Sequence, residues 1–435
     1  MSLAARRRCA PSLAAVARSP ARHVSTAVLY DAPLPVQQQL MRGQCRGFPT
    51  QVTVSRGRLE EFIRAEQSYF ALRQPQPLKL EQIVQASTPG KVAQLVHKEL
   101  PYRFAARIKH LEDLEGFSEQ PELVKLRDIF SVSFRDLRLA VPPVVEEPRV
   151  SDLAGFTEVI YRLRKRHRPV PTLLAEALQR MHRQAFSDET AQSWADTFLQ
   201  SRISTEMLTS HYVAIIEESL EQSRAALGSG SVGIVDTKCN PGQICIEAAD
   251  SVREGLAAHG EPDIRIDVQT NNCSYANAKI EFSYIPKYLF YIVQELLKNS
   301  TRATAEAWGS AAEDLAKKSI TVTVCADKTQ VAIRISDQGG GIPFENAGQI
   351  WSYTFSTSKQ PYEDNADRPS PLSGWGMGLP ASRLYASYLG GKLELMNMPG
   401  IGVDAYLFLN RISLQDHIAD IGSLGSVSDT GIAVP

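Results

Sequence analysis

The hydrophobic pattern changes its period near residue 240, and this change limits the folds open to the chain. Between about residues 50 and 225, apolar side chains recur every three to four positions, as in "PELVKLRDIFSVSFRDLRLA", which predicts amphipathic helices. Beyond 240 they alternate, as in "SITVTVCAD", "QVAIRISD" and "VDAYLFLN", which predicts strands with one buried face. The expected fold class is therefore α+β, an all-helical bundle followed by a sheet.

Helices should cover this sheet and make it an α/β sandwich. They are expected at about 241–258, 286–308 and 378–389. In the helical half, Pro101 is expected to begin a new helix after Leu100, because proline suits a first helical turn and disrupts a helix interior. The stretch "ALGSGSVGI" (226–234) is expected to join the two halves.

The composition of the N-terminus predicts where in the cell the protein is located. It has arginines at positions 6, 7, 8, 18 and 22, many alanines and serines, and no acidic residue before Asp31. This composition is typical of a mitochondrial transit peptide over residues 1–35, with a disordered basic tail as the alternative. The polar, Gly- and Ser-containing segment 413–435 is expected to be a flexible tail.

The charge balance and hydropathy argue against two classes of partner. Lys and Arg number 47 and Asp and Glu 48, so the formal net charge of −1 gives no reason to expect nucleic acid. No run of about 18 apolar residues is present, so no transmembrane segment is expected.

Asp337 stands out among the residues that follow the predicted strands. It has the parity of Val331, Ile333 and Ile335 and should leave its strand on the buried face. A carboxylate there needs hydrogen-bond donors, since burial without them costs several kcal/mol. The alternative is an aspartate that only caps the following turn.

The predicted helix 286–308 carries a polar row of Glu295, Asn299 and Arg302, one and two turns apart. Such a row is often a solvated face. A glutamate and an asparagine one turn apart are also a plausible general base and Mg²⁺ ligand, because Mg²⁺ prefers hard oxygen atoms.

Two glycine-rich stretches, "SDQGGGIP" (336–343) and "GWGMGLP" (374–380), flank a polar segment. Glycine loops let backbone N–H groups approach phosphates, but each stretch alone could simply turn the chain. The order of the neighbouring sequence motifs favours phosphate binding over a simple turn. "ELLKNSTRAT", "DQGGG" and "GWGMGLPASRLYASYLGG" resemble, in sequence order, the nucleotide-binding boxes of the GHKL superfamily, which includes sensor histidine kinases, DNA gyrase and MutL.

Within that superfamily the chain resembles the mitochondrial 2-oxoacid dehydrogenase kinases over roughly residues 50–412. "SRISTEMLTSHYVAI", "HKELPYRFAARIKHL" and "WSYTFSTS" carry this resemblance. It implies a helical bundle at 50–225, for lipoyl-domain docking and dimer architecture, and a GHKL (Bergerat-type) ATP-binding domain at 232–412.

The resemblance also implies a function. The protein would be a serine kinase of the mitochondrial matrix that uses Mg-ATP to phosphorylate and inactivate a pyruvate or branched-chain 2-oxoacid dehydrogenase. Its partners would be the dehydrogenase α subunit, the lipoyl domain of the acyltransferase core and a second copy of itself. K⁺ is a further candidate cofactor.

The resemblance assigns roles residue by residue. Glu295 would be the catalytic base, Asn299 the metal ligand, and Asp337 the acceptor for the adenine amino group. The ATP site would comprise Asn299, Arg302, Asp337, Gly339, Gly341, Ser356, Thr357, Gly374, Gly376, Met377, Gly378, Leu379 and Val403.

Val403 departs from the family pattern, which usually has threonine there to help hold adenine. Its methyl groups are expected to form an apolar floor instead. No Asp-Trp pair, which pyruvate dehydrogenase kinases often carry near the C-terminus, follows residue 410. Tyr291 slightly favours a resemblance to the branched-chain kinases. The pyruvate and the branched-chain dehydrogenase complexes both remain open as substrate.

Two histidines leave alternatives. His211 could be a phosphoacceptor of a histidine-kinase-like enzyme, but no glutamate follows it, so a structural role in the bundle is favoured. His167, in "RLRKRHR", suggests a solvated helix end or a dock for an acidic partner.

The alternative to a kinase from another functional class is a non-catalytic ATP-binding regulator of the dehydrogenase complex.

Overall fold

The computed structural model describes most of the chain between residues 52 and 411 and one short strand before it. The described residues are 34–36, 52–76, 78–140, 150–183, 188–222, 231–258, 260–273, 279–309, 315, 317–355 and 376–411. Their contacts divide them into two compact units, one up to Ala65 and one from Glu66 onward. Most of the predicted transit peptide, all of the predicted tail and residues 226–230 of the predicted joint lie outside the described residues.

The first unit contains a short antiparallel pair, β1 (Leu34–Val36) and β2 (Val52–Val54), and the start of helix α1. The helices of the N-terminal half are α1 (Arg56–Ala71), α2 (Leu80–Gln85), α3 (Pro89–Glu112), α4 (Pro121–Leu139), α5 (Ala154–Arg166), α6 (Val170–Arg183) and α7 (Asp188–Gln222). In the second unit, α3 packs on α4 and α7 around fully buried aromatic rings such as Phe104, Phe130 and Phe198. The predicted helical bundle is confirmed.

The prediction that a helix ends before Pro101 is wrong, because α3 continues through it. Proline inside a helix costs roughly 3 kcal/mol. Leu100, Phe104 and Ile108 are fully buried on the same helix. Each contributes about 1.5–3 kcal/mol by leaving water, so their burial outweighs the lost hydrogen bond.

His211 is buried inside the bundle, and His167 is half-buried against its aromatic core. The ring of His167 packs edge-on against Phe104 and Phe130, and its Nε2 lies 2.9 Å from Ser133 Oγ, so the solvated helix end is wrong for this residue. Burial lowers the pKa of His167 well below its usual value, with nearby Arg107 adding to the effect. His211 is fully buried, and its Nε2 contacts the Ala86 carbonyl oxygen at 3.1 Å, which agrees with a structural role.

The C-terminal half is built on two sheets and their covering helices. Its strands are β3 (Ser231–Val232), β4 (Val235–Cys239), β5 (Ile266–Asn272), β6 (Phe282–Tyr284), β7 (Ile320–Ala326), β8 (Gln330–Ser336), β9 (Lys392–Met398) and β10 (Gly402–Asn410). Its helices are α8 (Pro241–Ala258), α9 (Pro286–Trp308), α10 (Phe344–Ala347) and α11 (Gly378–Tyr388). The larger sheet has the order β5-β7-β8-β10-β9, and the smaller one β3-β4-β6.

Side-chain alternation fixes which face of the larger sheet is buried. β5 is parallel to β7, and the remaining neighbours are antiparallel. Cross-strand neighbours Val322, Ile335 and Ala405 all lie on the buried face, against which α8, α9 and α11 pack. The α+β prediction, with a sandwich of helices on a sheet, is confirmed. Among the helices of the described residues, none has the length and apolarity needed to cross a membrane.

Candidate nucleotide and phosphoryl-transfer site

Helix α9 carries the polar row predicted from the sequence. Leu289, Val293, Leu296 and Leu297 are buried on the packed side of this helix. Glu295 is also buried, at 4% exposure, whereas Asn299 is half-buried and Arg302 is exposed. The row therefore begins inside the protein and ends in solvent, so Glu295 is not part of a solvated face.

The carboxylate of Glu295 is held from two sides. Lys298 Nζ donates to its Oε1 at 3.0 Å. A Cβ atom added at Gly378 would lie only 2.3 Å from its Oε2, so a larger residue at 378 would require the carboxylate to move. The glycine thus allows the first turn of α11 to rest directly on Glu295, and it joins the second glycine stretch to the candidate base.

Asp337 follows β8 on the buried face, at 6% exposure, and has three donors. Ser300 Oγ donates to its Oδ2 at 2.9 Å. The N–H groups of Gly339 and Val403 donate to its Oδ1 at 3.0 and 3.1 Å. The expected partners of this buried carboxylate are therefore present, and the bond from Gly339 shows that Asp337 also caps the following turn.

Ser300 is a site residue that sequence reasoning missed. It lies directly after Asn299 on α9 and is buried. The sequence signal was available, because on a 100° wheel residue 300 lies within about 20° of Val293, on the apolar side of the helix. Through Ser300 and Glu295, one helix contacts both the Asp337 region and the start of α11.

The first glycine stretch packs tightly on the same helix. A Cβ at Gly339 would lie 2.7 Å from the Cβ of Ala303, so a side chain there would push the loop away from α9. Trp308 Nε1 donates to the Gln338 carbonyl oxygen at 2.7 Å and fixes the loop further. Gly339 is thus needed for helix contact, which is a different reason from the predicted approach to phosphate.

The remaining predicted site residues fall into two groups. Gly341 and Gly376 adopt positive φ values of 77° and 76°, Met377 is fully buried, and Leu379 is half-buried. Ser356, Thr357 and Gly374 lie outside the described residues.

Val403 lies next to Asp337 on the buried face of the sheet. The Asp337 N–H donates to the Val403 carbonyl oxygen at 3.0 Å, one position beyond the paired residues Asp404 and Ser336. Val403 is half-buried, whereas Ala405, two residues later on the same face, is buried. A side chain at 403 therefore shares its surroundings with the candidate adenine acceptor.

Val403→Thr is expected to tighten nucleotide binding. Threonine keeps the β-branched shape, and its hydroxyl lies on the sheet face of Asp337. One added hydrogen bond is worth about 0.5–1.5 kcal/mol, which corresponds to a two- to tenfold gain in affinity. Titration with a fluorescent nucleotide measures the change, with Val403→Ile as a control for shape. Weaker binding by the threonine variant would contradict the expectation, since an unpaired hydroxyl costs about 1–3 kcal/mol.

Two contacts near residue 350 were not predicted. Tyr353 donates its hydroxyl to Asp196 of α7 at 2.5 Å, and Arg383 of α11 lies 4.5 Å from the centre of the Trp351 ring. Burial raises the pKa of Tyr353, and Asp196 raises it further. Asp196, Trp351 and Arg383 line a cavity of about 890 Å³ that includes neither Glu295 nor Asp337 in its wall.

Comparison with known proteins agrees with this geometry. The family described as mitochondrial branched-chain alpha-ketoacid dehydrogenase kinase matches residues 77–236. The family described as histidine kinase-, DNA gyrase B- and HSP90-like ATPase matches residues 285–412, which include α9, Asp337 and α11.

A plant relative decides the family. The mitochondrial [pyruvate dehydrogenase (acetyl-transferring)] kinase of Arabidopsis thaliana is 34% identical over 331 residues, which cover 74% of this chain and 84% of the relative. The chain belongs to the mitochondrial 2-oxoacid dehydrogenase kinases.

Other members of this kinase family match at lower identity. The isozyme 3 kinase of Mus musculus is 28% identical, over 78% of this chain and 82% of its own. The isozyme 4 kinase of Rattus norvegicus is also 28% identical, over 81% of this chain and 85% of its own. All three relatives are named mitochondrial pyruvate dehydrogenase kinases, whereas the family model over the bundle is named for the branched-chain enzyme.

Proposed function

We propose that this kinase transfers the γ-phosphoryl group of ATP to a serine of a 2-oxoacid dehydrogenase α subunit in the mitochondrial matrix, and thereby inactivates the dehydrogenase. The observation that carries the proposal is the buried carboxylate of Glu295, fixed by Lys298 against the first turn of α11. A general base needs a defined position near the reacting hydroxyl, and these contacts give the carboxylate one.

The nucleotide would lie between Asp337 and the start of α11. Asp337 Oδ2, which already accepts from Ser300, would accept from the adenine amino group. The N-terminus of α11 at Gly378 would favour the phosphates, since free N–H groups and the helix dipole attract anions. Arg302 is exposed on α9, two turns after Glu295, and would meet the nucleotide from the solvent side.

Asn299 would hold Mg²⁺, which neutralises charge on the phosphates when it is bound. The residue fits this role because it is half-buried one turn after Glu295 and its side chain has an amide oxygen. Its contact from Arg302 Nη2 is long, at 3.5 Å, so the oxygen retains capacity to bind a cation. One protein oxygen is consistent with the preference of Mg²⁺ for water and phosphate ligands. K⁺ is proposed from the family resemblance alone.

Glu295 would take the proton of the substrate serine hydroxyl as that oxygen attacks the phosphoryl group in line with the departing oxygen. Lys298 keeps the carboxylate in place through its bond to Oε1, which leaves Oε2 toward α11. In the histidine-kinase alternative, the phosphoacceptor would be His211. That side chain is fully buried and contacts the Ala86 carbonyl oxygen, so it favours the serine-kinase proposal.

The bundle, residues 50–225, would bind the lipoyl domain of the acyltransferase core, and residues 232–412 would form the ATP-binding domain. Such docking would raise the local concentration of kinase near its substrate. A homodimer is also proposed. Tyr406 and Phe408 stack on the sheet face opposite α9, and Met396 on the same face is 55% exposed, so this face has apolar area to bury.

The proposal is tested by incubating the purified kinase with γ-labelled ATP and, separately, the intact pyruvate and branched-chain dehydrogenase complexes. Label on an α subunit, with a parallel fall in dehydrogenase activity, is expected for one of them. The same α subunit without its acyltransferase core should be labelled more slowly if the lipoyl domain recruits the kinase. Absence of label on both complexes would contradict the proposed function.

A further inference from the structure

Helices α9 and α11 lie against each other in opposite directions, and the contact extends well beyond the candidate site. At one end, Glu295 meets Gly378. Seven residues before Glu295 is Tyr288, and seven residues after Gly378 is Tyr385. The rings of these two tyrosines are 4.9 Å apart in an edge-to-face contact. Seven residues are about two helical turns, so both contacts lie on the same faces of the two helices, about 10 Å apart.

Tyr385 is the centre of the distal contact. Besides Tyr288, the ring of Tyr291 lies 5.0 Å from it, one turn before Glu295. Tyr288 and Tyr385 are both buried. Edge-to-face aromatic pairs are directional, so this cluster fixes the axial position of α11 along α9.

The cluster is anchored to the bundle by one carboxylate, Glu206 of α7. Its Oε1 accepts from Lys287 Nζ at 3.1 Å, and Lys287 is in the first turn of α9. Its Oε2 accepts from the Tyr385 hydroxyl at 3.3 Å and from Arg202 Nη1 at 3.3 Å. Burial alone would raise the pKa of Glu206, but Arg202 and Lys287 outweigh it and lower that pKa below its usual value. An ionised carboxylate thus joins both helices of the candidate site to the bundle.

We propose that Glu206 is a positioning residue for phosphoryl transfer, which fixes α11 against α9 through Tyr385 and so places Glu295 at the start of α11. This inference rests on the proposed role of Glu295. Glu206 contacts Tyr385, about two turns along α11 from Gly378, and acts only through the two helices. Effective catalysis requires near-contact geometry, and a displacement of about 1 Å can cost about 100-fold in rate.

Two conservative variants test the link. Tyr385→Phe removes one hydroxyl and keeps the ring contacts, whereas Glu206→Gln keeps the shape and removes the charge. Each is expected to lower kcat for dehydrogenase phosphorylation by about tenfold or more, within the loss that misplacement produces. The Kd for Mg-ATP is expected to rise by a smaller factor than kcat falls, because the contacts of Asp337 do not involve α7 and only the phosphate end of the site, at the start of α11, depends on this link.

The double variant gives the sharpest result. If both side chains act through one contact, Glu206→Gln/Tyr385→Phe should lose no more rate than the more affected single variant. The matched control is Glu217→Gln. Glu217 is an exposed carboxylate on the same helix that accepts from Tyr161 of α5 at 3.0 Å, and its variant should keep the wild-type kcat.

The outcomes separate this inference from the proposed function. Rates are normalised to nucleotide-binding sites, so a partly unfolded variant does not imitate a loss of kcat. Wild-type kcat in Tyr385→Phe, or additive losses in the double variant, would overturn the positioning role even if Glu206→Gln fails to fold. If Glu295→Gln, measured in parallel, keeps the wild-type rate, the assignment of the base fails instead.

Discussion

Replacing Glu295 with glutamine is expected to lower phosphoryl transfer by about 10²- to 10⁴-fold, while Mg-ATP still binds. Glutamine keeps the size of the side chain and an oxygen that can accept from Lys298, but it cannot take the proton of a serine hydroxyl. Position 378 is a glycine, so no side chain at the start of α11 stands in the way of an amide of the same shape as the carboxylate. Single-turnover transfer at saturating ATP measures the effect, and equilibrium titration measures nucleotide affinity separately.

Glu306→Gln is the matched control for this variant. Glu306 is an exposed glutamate on the same helix, three turns beyond Glu295, so the same chemical change there should leave the rate unaltered. A wild-type transfer rate in Glu295→Gln would remove this residue from the mechanism.

Replacing Asn299 with alanine is expected to abolish Mg-ATP binding. The lost amide oxygen would leave the charge on the triphosphate under-compensated. The loss should exceed the 10- to 100-fold that typically follows removal of a residue that only orients a metal ligand. Calorimetry with Mg-ATP measures it directly.

Asn299→Asp provides the companion variant, since it restores a hard oxygen at the same place. It should bind Mg-ATP where the alanine variant does not. Unchanged Mg-ATP affinity in Asn299→Ala would assign the metal to another residue.

The sequence predicted the elements whose pattern was strongly periodic. Helices α8 and α9 begin and end where the sequence placed them, and β7, β8 and β10 have the expected alternation. Asp337 was placed on the buried face by parity alone. Side chains alternate between the two faces of a strand, so the pattern within β8 was enough to place it.

Short or weakly alternating strands were not predicted. β3 and β6 have only two and three residues, and β5 has mostly polar side chains, so none gives a clear period. At Pro101 the local signal was clear, but the prediction drawn from it was wrong. A local rule pointed to a helix boundary, but burial of the residues around it decided the structure.

The candidate residues were identified one by one, but their contacts were not. Glu295 and Gly378 are 83 positions apart in sequence, and Tyr353 and Asp196 are 157 apart. Such pairs depend on how separate elements pack together. The periodicity within a single element carries no information about that packing. The role of Gly378 illustrates the difference, since the sequence suggested phosphate approach and the structure adds contact with a carboxylate.

The most direct test of the serine-kinase assignment is the chemical stability of the phosphoryl bond that the enzyme makes. After reaction with γ-labelled ATP and a dehydrogenase complex, the label should lie on the dehydrogenase α subunit, resist acid and be released by alkali, as a phosphoserine ester does. Label that is lost in acid and found on the kinase itself at His211 would contradict the assignment and favour a histidine-kinase-like enzyme.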